Sequence, residues 1–126
     1  MTPDAIRAFF DQLGHGEIDP LLESLAEDVV LEFPGRRFGV RIEGKRGVRV
    51  FLKRNQRLFR DGLRFSVHWV GAADDRRIAQ WTNAGITKDG RSYGNRGVTV
   101  FRLVGDHIAE IQDYLDTETI AETWPA

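Results

Sequence analysis

Apolar and polar residues along this 126-residue chain follow two rhythms, helical in the first half and strand-like in the second. Ile6, Phe9, Phe10 and Leu13 recur at the spacing that lines one face of a helix. Thr2 suits the N-cap, Pro3 the first turn and Asp4 the positive end of the helix dipole, while Gly14, His15 and Gly16 end the run. Asp19 and Pro20 repeat the start signal for a short second helix with a stripe of Leu21, Leu22 and Leu25. Residues 28–33, DVVLEF, are rich in branched side chains and read as a strand. Pro34 and the glycines Gly35, Gly39, Gly44 and Gly47 then mark a long loop, a candidate lid or pocket wall because plain connections are shorter. A third helix is expected over 47–60. Val48, Phe51, Leu52, Leu58 and Phe59 lie on one side of it, and Lys53, Arg54, Arg57 and Arg60 on the other.

Beyond Gly62 the pattern is mostly strand-like, and strands are expected over 63–71, 77–87, 92–104 and 108–115. Asp74 and Asp75, then Lys88, Asp89 and Gly90, then Gly105 and Asp106 supply the turns. Asp116 would cap a short terminal helix with Glu118 in its first turn. Helices first and an antiparallel meander afterwards define an α+β pattern, distinct from the alternating order of a parallel sheet. The expected architecture is one domain over 1–126. It is a cone-shaped, strongly curved, mostly antiparallel sheet wrapped around three helices, with an internal pocket.

Charge narrows the partners. Eighteen Lys and Arg stand against nineteen Asp and Glu, a net charge of −1, which argues against a nucleic-acid or anionic-membrane partner. The basic side of the third helix is then expected to be a solvated face. No cysteine is present, so disulfides, thiolate nucleophiles and zinc–cysteine sites are excluded. No stretch approaches the ~20 apolar residues of a membrane span. The start, MTPDAIRAFF, lacks the basic-then-apolar pattern of a secretory signal, and a cytoplasmic location is expected. His15 and His107 fall in turns, and His68 is out of phase with Phe65, Val67 and Trp69. Without metal-ligand spacing, a phosphate loop or a GxSxG elbow, neither a metal nor a cofactor is expected.

The candidate chemistry lies in AEIQDYLDTE, residues 109–118. As a strand, it places Ala109, Ile111, Asp113 and Leu115 on one face and Glu110, Gln112 and Tyr114 on the other. A carboxyl group on the apolar face is costly when charged, so its pKa rises and it can exchange a proton near neutrality. The same pattern also fits a structural Asp113, at a frayed strand end or paired with an arginine. Asn95, Gly97, Thr99 and Phe101 share one strand face, where Asn95 and Thr99 can donate to a ligand oxygen and Gly97 leaves room between them. On the preceding strand, either Ile78, Gln80, Thr82, Ala84 and Ile86 or Ala79, Trp81, Asn83 and Gly85 fit an inward face. Asn55 interrupts the apolar stripe of the third helix. These polar residues also fit a core role satisfied by backbone groups.

Three phrases, TPDAIRAFFDQLGHGEID, LAEDVVLEFPG and KDGRSYGNRGVTVFRLVGDHIAEIQDYLDTE, resemble the SnoaL-like branch of the nuclear-transport-factor-two-like superfamily. The resemblance implies the cone fold and a homodimer packed through the outer face of the sheet, a surface that Val98, Val100 and Trp81 would suit. It implies less about chemistry, because this fold hosts enzymes, binding modules and interaction domains. The tyrosine, aspartate base and protonated aspartate of the related ketosteroid isomerases are matched by Phe9, Phe33 and Thr99, so that chemistry is not implied. Asp113 matches one catalytic acid of limonene epoxide hydrolases, but Thr82 and Ala84 replace their arginine and second aspartate. SnoaL-like polyketide cyclases need one carboxylate in an apolar cavity, a role Asp113 fits.

The expected function is therefore a cofactor-independent enzyme of isomerase, cyclase or hydrolase type, in which Asp113 moves a proton on a small apolar, carbonyl-bearing substrate. Asn95, Thr99 and Asn55 would orient the substrate's oxygens, and Phe9, Phe10, Phe33, Phe51, Phe101 and Ile111 would line the walls. The alternative is a non-catalytic small-molecule-binding or dimeric assembly module on the same fold.

Overall fold

The computed structural model describes residues 1–125. Helix α1 (Pro3–Gly14) begins as the sequence predicts: Thr2 Oγ1 accepts from the Ala5 amide at 3.1 Å, with Pro3 in the first turn. It ends where Gly16 takes a φ of 75°, a left-handed conformation that glycine adopts without a Cβ clash. Short helix α2 (Ile18–Leu22) leads into β1 (Leu25–Phe33). Leu25 thus belongs to the strand and not to a helical stripe. It opposes Ile108 of the parallel neighbour, and a register shift follows before Val30.

The long glycine-marked loop contains an edge strand, β2 (Val40–Glu43), paired antiparallel with β1 from Val30↔Glu43 to Phe33↔Val40. Helix α3 (Lys45–Gln56) starts two residues earlier than expected, after Gly44 at φ 88°, and stops before Leu58 and Phe59. Phe59 is buried in a bridge to Thr87, whereas Leu58 is exposed. Part of the basic face of α3 meets acids from other elements. Arg49 Nε lies 2.8 Å from Asp19 Oδ1, Lys53 Nζ 3.6 Å from Asp19 Oδ2 and Lys45 Nζ 3.5 Å from Glu27 Oε1.

The remaining strands are β3 (Arg64–Ala73), β4 (Arg76–Ile86), β5 (Ser92–Val104) and β6 (His107–Leu115), followed by α4 (Thr117–Thr123). Asp116 caps α4 through its side chain, accepting from the Glu118 amide at 3.0 Å. The six strands lie in the order β2-β1-β6-β5-β4-β3, with only the β1–β6 pair parallel. The architecture is the expected α+β one: a curved, mostly antiparallel sheet enclosing helices.

Alternation decides what faces the helices. Ala79, Trp81 and Asn83 of β4 are buried, as are Tyr93, Asn95, Thr99, Phe101 and Leu103 of β5 and Ala109 and Ile111 of β6. The inward set on β4 is therefore the odd-numbered one, and Thr82 and Ala84 face out. A shift at His68 interrupts the β3 alternation. It turns Trp69 outward, where its Nε1 donates to Gln80 Oε1 at 2.6 Å.

Phe101 sits in the core, not in a pocket wall. It is fully buried, with its ring centroid 5.3 Å from that of Phe9 and 5.9 Å from that of Phe10 in edge-on contacts. Truncation of Phe101 to Ala is expected to cost ~3–5 kcal/mol in urea unfolding, the range for a large core aromatic. A loss below ~1 kcal/mol would place Phe101 at a yielding wall instead.

Candidate active site

Between the helices and the inward sheet face lies a cavity of about 260 Å³, close to the lower end of the ~300–1,000 Å³ usual for small-molecule sites. Its walls are mostly aromatic and aliphatic. Phe9 and Phe10 come from α1, Phe51 from α3, Phe33 from β1 and Ile111 from β6, while Ile120 and Trp124 reach in from α4 and the residue after it. Phe38 and Val40 add a wall from the glycine-marked segment, as the loop's length suggested.

Asp113 opens onto this cavity. Its register partner on β5 is Thr99, whose Oγ1 donates to Asp113 Oδ1 at 2.5 Å. Trp81 Nε1 in turn donates to Thr99 Oγ1 at 2.8 Å. An indole N–H can only donate, so the Thr99 oxygen accepts from it and the single hydroxyl proton is left for Asp113. Gly97 makes this geometry possible. A Cβ there would lie 2.8 and 2.9 Å from Trp81 Cζ2 and Cη2 and would collide with the Tyr114 carbonyl. The room expected beside Gly97 for a ligand is taken by the indole.

Asp113 forms no ion pair among the described residues. Burial pushes its carboxyl from 3.8 up to about 6, against the Thr99 hydrogen bond, which favours the charged form. It is neither at a frayed end nor clamped by an arginine. What surface it retains faces the cavity.

Eight of the ten sequence-predicted site residues line this space: Asp113, Thr99, Asn55, Ile111, Phe9, Phe10, Phe33 and Phe51. Phe101 lies behind it. Asn95 also lies outside the lining and is buried, with its side chain committed to the protein. Its Nδ2 donates to Tyr93 Oη and to the Asp116 carbonyl, each at 3.0 Å. Its Oδ1 accepts from the Arg96 and Asp116 amides at 2.8 and 3.2 Å. With every donor and acceptor used, Asn95 has nothing left for a ligand. Trp81, assigned by resemblance to the outer dimer surface, is 2% exposed and lines the cavity instead.

The sequence reading did not assign Asn83 or Tyr93 to the site, although both line it. The β4 phase was readable in principle. The turn beyond β4 is closed by the Thr87 amide donating to the Arg91 carbonyl at 2.9 Å and by Gly90 at φ 90°, and this sets Asn83 opposite Asn95. Trp124 and Ile120 had no such signal, because α4 carries no buried residue and its docking depends on Tyr93 and Phe59.

The family model described as the SnoaL-like domain matches residues 6–111. The chain belongs to the SnoaL-like domain family. The match stops just short of Asp113. Solved structures similar to this SnoaL-like chain include an NTF2-like protein from Anabaena variabilis, at 24% identity and a TM-score of 0.79, covering 90% of this chain and 84% of that one. An LEH-like epoxide hydrolase from M. tuberculosis is similar at 23% identity and a TM-score of 0.74, over 98% and 95% of the two chains. TerC, co-crystallised with polyporic acid, is similar at 20% identity and a TM-score of 0.82, over 94% of each. At these identities the likeness establishes the fold. No curated protein matches the sequence. The inward positions of β4 carry Trp81 and Asn83, while Thr82 and Ala84, which the resemblance set against the arginine and second aspartate of the limonene epoxide hydrolases, face outward.

Because the folded pKa of Asp113 lies above its unfolded value, the native state holds the extra proton. Its stabilising contribution is complete below about 3.8 and is lost as pH rises through about 6. The stability of wild type minus that of Asp113→Asn, from urea unfolding, should fall across that window and then level. A flat difference would contradict the raised value. Replacing Thr99 by Val should move the Asp113 pKa still higher, read from a ¹³C titration of its carboxyl.

Proposed function

We propose that this SnoaL-like domain is a cofactor-independent enzyme that uses Asp113 as acid and base on a small apolar, carbonyl-bearing substrate. The observation that carries this reading is an unpaired carboxyl, raised to about 6, opening onto an apolar cavity and oriented by one committed hydroxyl. Near neutral pH such a group is mostly ionised and accepts a proton. Once protonated it is a strong enough acid to return that proton elsewhere on the substrate. This cycle is common to isomerisation and cyclisation, and the apolar walls keep competing water away from the reacting carbon. The likeness to an epoxide hydrolase supports a fold able to hold acid–base chemistry, and TerC supports one able to take an organic acid. The non-catalytic alternative shares the cavity but gives the uncompensated carboxyl no role.

We also propose that two copies pair through the outer sheet face around Val98, Val100, Trp69 and Tyr114, the last two being 46% and 47% exposed. Trp81 takes no part in that surface.

The test is proton exchange. With 2-tetralone in deuterium oxide, the protein should speed α-deuteration above the buffer rate, followed by NMR. The rate should rise with pH through about 6 and then level, because the ionised carboxyl is the base. Asp113→Asn should lower the protein-dependent rate by ~10²–10⁴-fold while leaving the fold intact by circular dichroism. Undiminished exchange in that variant would remove Asp113 from the mechanism, and no exchange above buffer would favour the binding module.

A further inference from the structure

We infer that Asn83 and Tyr93 form a second polar anchor in the cavity, remote from Asp113, and that the ligand is an extended aryl or polycyclic ketone whose oxygen they hold. The inference rests on the cavity being a small-molecule site and deepens the proposed function by naming a substrate class.

Each side chain presents a donor without an acceptor among the described residues. Asn83 Oδ1 accepts from the Asn95 amide at 2.9 Å. A backbone amide can only donate, which forces the oxygen toward Asn95 and leaves Nδ2 as the free end. That Nδ2 has no partner among the described residues, and no fully enclosed side-chain nitrogen or oxygen there is unsatisfied, so it retains contact with open space. Asn83 is 92% buried and lines the cavity, so that space is the cavity.

Tyr93 follows the same logic. Asn95 uses its Oδ1 on two backbone amides, so its Nδ2 must be the donor to Tyr93 Oη at 3.0 Å. The phenolic oxygen accepts there, and its own proton is free. Tyr93 is also 92% buried and lines the cavity. Its ring is held between Phe59 and Trp124, with centroids 5.3 and 5.4 Å away, which fixes the position of the phenolic oxygen. Asn95 is thus a positioning residue: its amide orients Asn83 and its side chain orients Tyr93.

The two donors belong to one place. Asn83 and Tyr93 are diagonal neighbours on the inward face, since Asn83 opposes Asn95 and Gly85 opposes Tyr93. Both can reach one acceptor oxygen with two lone pairs. Thr99 opposes Asp113 on the other side of β5, and the four residue steps from Asn95 to Thr99 span roughly 13 Å of strand. A compact ligand cannot meet both ends, whereas an extended ring system can. Where the carbon at the Asp113 end is joined to the carbonyl by an unbroken conjugated system, loss of its proton to Asp113 breaks the C–H bond. The electron pair left behind delocalises along that system onto the carbonyl oxygen. There the two donors stabilise it.

The test is equilibrium binding, which needs no turnover and so fails separately from the acid–base reading. Wild type is expected to bind 4-acetylbiphenyl about tenfold more tightly than biphenyl in equilibrium dialysis, the effect of two neutral hydrogen bonds. Tyr93→Phe and Asn83→Asp should each reduce that preference to about threefold or less, with biphenyl affinity within about twofold of wild type. Asp113→Asn should keep the preference, because the oxygen sits at the other end. Should Asn83→Asp not fold, Tyr93→Phe, which removes one hydroxyl, decides alone. Bound 4-acetylbiphenyl should also raise the Asp113 pKa by excluding water, whereas acetophenone, too short to reach from the anchor, should leave it unchanged. The proposal is overturned if wild type shows no preference for the ketone, if the preference survives Tyr93→Phe, or if it vanishes in Asp113→Asn. Equal pKa responses to the two ketones would overturn the elongated class.

Discussion

A carboxyl group without a cation, opening onto an apolar cavity, sets the terms for the rest of this structure. Desolvation opposes its charge, and the Thr99 hydroxyl at 2.5 Å favours it. A hydrogen bond to a charged group contributes ~1.5–3 kcal/mol, less than the several kcal/mol that desolvating an ion costs, so the balance settles near neutrality and not far below it. An arginine in ion-pair contact would have reversed that outcome and left a permanently ionised carboxylate. Trp81 matters because it removes the alternative use of the Thr99 proton, and Gly97 matters because it gives the indole somewhere to lie.

The fold supplies rigidity and the side chains supply chemistry. Phe101 packs against Phe9 and Phe10 behind the cavity, so the strand that presents Thr99 is anchored in the core two residues further along. The same strand presents Tyr93 and buries Asn95, which makes two side-chain hydrogen bonds within β5 and two to Asp116 at the start of α4. A residue that uses all its polar capacity on the protein contributes by orienting others. Family membership carries over the cone but not this arrangement. The matched stretch ends before Asp113, and the inward positions of β4 carry an indole and an amide, Trp81 and Asn83.

Strand and helix periodicity made much of this legible in the residues alone. The caps at Thr2 and Asp116, the four later strands and the apolar phase of Asp113 were all readable, because each depends on neighbours within a few positions of the chain. Edge strand β2 was not. Four residues between glycines, with only Val40 and Ile42 apolar, carry too little pattern, and the strand exists because β1 offers it a ladder of backbone groups.

Local spacing determined that some polar groups would share faces with apolar ones, Asp113 and Thr99 among them. Which groups meet was decided only by tertiary structure. The register between β4 and β5 turned Trp81 and Asn83 inward, the irregularity at His68 turned Trp69 outward, and the α4 turn consumed Asn95. A one-residue change of register reverses every side chain on a strand, and register is set by turns, irregularities and partner strands far away in sequence.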